Sequence, residues 1–71
     1  MAYVELKTML DAHPFLPVEI VTTDGRVFRI THREMFLLLK RILIVKTSHE
    51  SAENIHLDRI ASATLQIDAS E

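Results

Sequence analysis

Between Met35 and Val45 nine of eleven residues are apolar, and only Lys40 and Arg41 interrupt the run. A strand with one solvated face alternates apolar with polar residues, so an unbroken run implies that both faces are covered. A chain of 71 residues can cover one such face with its own core. A second apolar face requires a helical lid or another copy of the molecule. The segment admits two readings. As two short strands it turns at Lys40-Arg41, and the β-branched Ile42, Ile44 and Val45 suit a pleated surface. As a helix over about 32–46 it starts at Thr31-His32-Arg33-Glu34, which has the form of a capping box, and lines Met35, Leu38, Leu39, Ile42 and Leu43 along one stripe. We adopt the two strands, because Phe36 and Leu37 would face away from the helical stripe.

Upstream, Tyr3, Leu6, Met9, Leu10 and His13 recur at spacings of three and four, which predicts a helix within 1–13 that docks its apolar side as a lid. Pro14 stops it by pushing the preceding residue away from helical angles. Phe15, Leu16 and Pro17 form an extended connector, with Phe15 as a plug between helix and sheet. Val18 to Thr31 then predicts a hairpin turning at Asp24-Gly25. A two-residue loop would set Ile20 against Arg29. A three-residue loop, Thr23-Asp24-Gly25, instead pairs Val18 with Ile30, Glu19 with Arg29, Ile20 with Phe28 and Val21 with Val27. We therefore expect Val18, Ile20, Phe28 and Ile30 inward, and Gly25, the only glycine, at a positive backbone angle. His32 stands at the corner after this hairpin, where its ring could bond a turn carbonyl.

Downstream, Thr47 to Glu53 is polar and reads as a loop. Asn54 to Leu57 and Ala61 to Ile67 read as strands joined by an Asp58-Arg59-Ile60 turn, and the tail at 68–71 as frayed. The expected fold is mainly β: an N-terminal helix followed by a strongly bent five-stranded antiparallel sheet or small barrel over 14–67, in a single domain spanning 1–71. An α+β fold with a second helix at about 32–46 is the alternative.

Composition narrows the function more by exclusion than by assignment. Apolar residues make up 48% and charged residues 25%, as in one small domain for which self-association is a common route to stability. Without cysteine there is no disulfide or thiolate metal site, and a reducing cytoplasm is the expected setting. The N-terminal stretch does not read as a signal peptide, and the 35–45 run falls far short of a membrane span. The net charge of −2 conceals an uneven distribution. Six basic residues stand against two acidic ones between Asp24 and His49, and the remainder of the chain is acidic. The four histidines, His13, His32, His49 and His56, lack metal-ligand spacing. No nucleophile elbow or glycine-rich phosphate loop is present, so no catalytic residue, metal ligand or cofactor is assigned. Asp24, Gly25 and His32 are assigned to structural turns.

The order of elements, with Asp24-Gly25-Arg26 in the first turn and Ile55 to Leu65 near the end, resembles the Sm-like fold of Hfq and its relatives. That resemblance implies a helix-capped five-stranded barrel that assembles into RNA-binding rings. Asp58 and Arg59 stand where Hfq-like proteins carry a Lys-His pair, so the RNA pocket of that family does not carry over. His13-Pro14-Phe15, Pro17, Asp24-Gly25-Arg26 and Ile30-Thr31-His32 also resemble short bacterial proteins with the pattern PFxPxxIxxxDGRxxxIxH, which implies a small β fold without a mechanism. The expected function is a non-catalytic interaction module that forms a homo-oligomer, or meets another protein partner, through Leu37, Leu39, Ile42 and Ile44. RNA or single-stranded nucleic acid binding through Arg26, Arg29, Arg33, Lys40 and Arg41 is the alternative.

Overall fold

Leu6 and Leu10 sit one turn apart and are fully buried, and they fix which side of the N-terminal helix meets the rest of the molecule. In the computed structural model, which describes residues 1–66, this helix, α1, runs Tyr3–Leu10. It ends before His13 because Asp11 leaves helical angles (φ −92°, ψ 8°) while its N–H still bonds the Lys7 carbonyl. His13 is therefore exposed and not part of the apolar stripe. The His13-Pro14 peptide is cis. Phe15 packs against the core and stacks on Phe36 at 6.1 Å, as the plug reading required.

Six strands follow among the described residues: β1 (Val18–Thr22), β2 (Val27–Ile30), β3 (Phe36–Leu38), β4 (Ile42–Lys46), β5 (Ala52–His56) and β6 (Ile60–Leu65). They form two separate three-stranded antiparallel sheets, β2-β1-β6 and β3-β4-β5. The expected five-stranded bent sheet or closed barrel is thus corrected to six strands in two sheets. The physical reason is local. After an extended His32 the backbone winds through a 3-10 turn at Arg33–Met35 and emerges extended at Phe36. That turn separates β2 from β3, so no single bent strand belongs to both sheets.

The first hairpin has the expected register: Val18 opposite Ile30, Glu19 opposite Arg29, Ile20 opposite Phe28 and Val21 opposite Val27. Thr22 and Arg26 close a three-residue loop, and Gly25 has φ +89°. Phe28 is half-buried where a core position was expected, with the Arg26 guanidinium 5.3 Å above its ring. The apolar run is a hairpin and not a helix over 32–46. Leu39 donates to the Ile42 carbonyl at 2.8 Å, which leaves Lys40-Arg41 as a two-residue tip. The helix-start signal at Thr31 to Glu34 survives only as the 3-10 turn. There the backbone carbonyl of His32 accepts the Met35 N–H at 3.1 Å, and among the described residues its ring bonds no turn carbonyl.

Strand β5 begins earlier than its polar sequence suggests. Ala52 and Glu53, expected in the loop, pair with Lys46 and Val45. Leu57, expected in the strand, opens a second 3-10 turn (Leu57–Arg59) and donates to the Arg41 carbonyl at 2.9 Å. Strand β6 starts at Ile60, with a register shift against Val21/Thr22. Ile67 and the 68–71 tail lie outside the described residues. One core joins Leu6 and Leu10 of α1 with Val18, Ile20, Ile30 and Ile60 from the first sheet, Leu43, Val45 and Ile55 from the second, and Leu57. Among the described residues no helix is long and apolar enough to cross a membrane.

Candidate functional site

Strand β4 shows why the outer face of the second sheet is unusual. Its side chains alternate, with Leu43 and Val45 buried in the core and Ile42 and Ile44 half-buried on the far side. Across the hairpin Leu37 lies opposite Ile44, and Leu39 closes on Ile42. Leu37, Leu39, Ile42 and Ile44 are thereby brought onto one face, and none belongs to the core cluster. The period of two sends their neighbours Leu38, Leu43 and Val45 inward instead. Leu37 is 56% exposed and Leu39 46%. On β5, Asn54 lies opposite Ile44 and His56 opposite Ile42, which extends the same face with polar residues.

A groove of about 340 Å³ runs along this face beside Leu37, Ile44 and Ala52, rimmed by Glu34, Lys46 and Glu50. The 47–51 loop forms its wall and is held by N–H groups of Thr47 and Ser48 that both donate to the Ser51 carbonyl. At the opposite end of the hairpin a cavity of about 300 Å³ is lined by Lys40, Arg41, His56 and Asp58, with Met1 and Tyr3. The two ends therefore carry different charge around one apolar centre.

The five basic residues of the nucleic-acid alternative fall into three places. Arg26 lies between Asp24 and Glu53, 3.2 Å from each, and Arg29 approaches Glu19 at 3.8 Å across the strands. Arg33 donates to the Ala12 carbonyl at 3.2 Å and covers the Phe15 ring, tying the connector to the first 3-10 turn. Only Lys40 and Arg41 share one site, the hairpin tip, and neither has an acidic partner within 4 Å among the described residues.

The other polar groups are engaged in holding turns. Thr22, only 3% exposed, donates its hydroxyl to the Asp24 carboxylate and accepts the Arg26 N–H at 3.1 Å. That hydroxyl bond, followed by the nearby Arg26 guanidinium, holds the Asp24 carboxyl below the usual carboxylate range. Lys7 similarly lowers Asp11 through a hydrogen bond one helical turn away. The four histidines are all exposed and spread over the connector, the first 3-10 turn, the 47–51 loop and the end of β5. Among the described residues no three potential metal-ligating side chains converge. Comparison with protein-family models, curated proteins and solved structures finds no match to this chain.

Proposed function

We propose that this chain is a non-catalytic interaction module that pairs with a second copy of itself through the outer face of β3-β4. The observation that carries this reading is the clustering of Leu37, Leu39, Ile42 and Ile44 on a face that the molecule's own core leaves uncovered. Exposed apolar side chains scattered singly are ordinary, whereas four on adjacent strands form a patch. A second copy covers it with matching chemistry, since a twofold contact places the same patch on both sides.

The expected affinity is modest. The face spans about 17 Å along β4 and about 14 Å across its three strands, small beside the roughly 800 Å² that each partner of a stable complex commits. Eight half-covered Leu and Ile side chains contribute on the order of 8 kcal/mol, against an association cost of about 4–15 kcal/mol. Reversible pairing in the millimolar range is the favourable end of this balance. The absence of cysteine supports a reducing, cytoplasmic setting. Nucleic-acid binding is the weaker reading, because Arg26 and Arg29 already meet carboxylates of the same chain and Arg33 a backbone carbonyl.

Sedimentation equilibrium from micromolar to millimolar concentration tests the proposal. A mass rising from 8.1 kDa toward twice that value is the expected result, and Leu37→Asp should abolish the rise while the folded far-UV spectrum is kept. A wild-type chain that stays monomeric throughout rejects it.

A further inference from the structure

The two ends of the apolar face differ in sign, and that difference fixes how a second copy lies on it. At the hairpin tip stand Lys40 and Arg41, with the Met1 ammonium and Asp58 in the same cavity, a balance of +2. At the far end Glu34 and Glu50 rim the groove beside Lys46, a balance of −1. Arg33, next to Glu34 in sequence, does not alter this end, because its guanidinium is turned to Ala12 and Phe15. The ends are about 17 Å apart along β4, about twice the screening length of roughly 8 Å at physiological ionic strength, so each interacts with whatever faces it directly.

A twofold pair built on this face can bring like ends together or opposite ends together. Like ends would set Lys40 and Arg41 against a second Lys40 and Arg41, and Glu34 and Glu50 against their own copies. Opposite ends set the basic tip of each copy over the acidic rim of the other, twice per pair. Resting on the self-association proposed above, we infer that the two copies lie antiparallel across the β3-β4-β5 face, with Lys40 and Arg41 of each copy meeting Glu34 and Glu50 of the other. The apolar centre supplies most of the attraction. The charged ends select the orientation, the role for which exposed ion pairs are best suited.

Charge reversal separates the two arrangements, because it has different consequences in each. If opposite ends meet, Lys40→Glu with Arg41→Glu places acid over acid and weakens pairing about tenfold, taking a few tenths of a kcal/mol for each of four exposed pairs. Glu34→Lys with Glu50→Lys does the same with base over base. The fourfold variant carrying all of these substitutions restores pairing to at least the wild-type level. If like ends meet, Glu34→Lys with Glu50→Lys takes the rim from −1 to +3 on both copies and also weakens the contact, and the fourfold variant keeps that penalty instead of recovering. The experiment is sedimentation equilibrium of the full chain and these three variants at low salt, repeated near 1 M salt, where the differences should vanish. Weakening in both double variants with recovery in the fourfold variant supports the antiparallel arrangement. A wild-type dimer whose affinity ignores the double substitutions, or a fourfold variant that fails to recover, overturns it while leaving self-association standing. A monomeric wild type removes the underlying reading as well. Thermal unfolding of each variant serves as the folding control, since Lys40, Arg41, Glu34 and Glu50 are all exposed.

Discussion

The two sheets share one core yet turn opposite kinds of surface outward. On the first sheet, Val21 and Val27 lie beside a cross-strand Glu19–Arg29 ion pair, with Ser62 and Thr64 completing the face. On the second, Leu37 opposes Ile44 and Leu39 closes on Ile42, with no ion pair on the β3-β4 face among the described residues. Charged residues on strand faces deter unwanted sheet association, and the first sheet carries them. The second confines its charges to the ends. The apolar run at 35–45 therefore carries two messages at once: alternate residues build the core, and those between them form a surface that the fold itself does not require.

The sharpest way to break this comparison is to truncate neighbouring residues of that run. Leu43→Ala removes a fully buried side chain and should destabilise the chain by about 2–5 kcal/mol, whereas Leu37→Ala, on the outer face, should change monomer stability by less than about 1 kcal/mol. Urea unfolding at low protein concentration measures both. Equal losses would mean that Leu37 belongs to the core after all.

A smaller effect is expected at the turn of the first sheet. Gly25→Ala meets no atom within 4 Å, so its effect comes from φ +89° alone. A loss of about 1–2 kcal/mol is the expectation, read as a lower urea midpoint, with dimer affinity per folded chain unchanged because the turn lies on the other sheet. A loss of pairing would show that the sheets do not act separately.

The smallest effect concerns Asp24. Its carboxyl titrates lower in the folded chain than in the unfolded one, so the unfolded state binds the proton more readily. The stabilisation is present above the ordinary carboxylate value near 3.8 and is lost as pH falls through the lower folded value. Asp24→Asn should thus be less stable than wild type at pH 7, with the gap closing below about pH 4 in acid-unfolding curves. A gap that does not narrow as pH falls would assign the effect to hydrogen-bond geometry instead.

Much of the fold was legible where two constraints agreed. In the first hairpin the apolar pairing and the single glycine both demanded a three-residue loop, and the register follows residue by residue. The tip at Lys40-Arg41 and the Phe15 plug were readable for the same reason. What escaped the sequence depended on tertiary contacts. Helix α1 stops three residues before His13, because beyond Leu10 the backbone turns into the connector. Ala52 and Glu53 look like loop residues, yet β4 recruits them as ladder partners. The separation into two sheets turns on a 3-10 turn of three residues, for which Thr31 to Glu34 offered only a misleading helix signal. That Leu37, Leu39, Ile42 and Ile44 lie together outside the core cluster needed the positions of both sheets.

The closing of the first sheet also has a bearing on the order in which the chain matures. Strand β1 waits for β6, joining Val18 to Leu65 across 47 positions, while β3, β4 and β5 form one uninterrupted meander between Phe36 and His56. Local pairings form sooner than distant ones. A chain emerging from the ribosome can thus complete the second sheet while one side of β1 still lacks its neighbour, and only arrival of the last strand removes that bare edge from reach of other nascent chains.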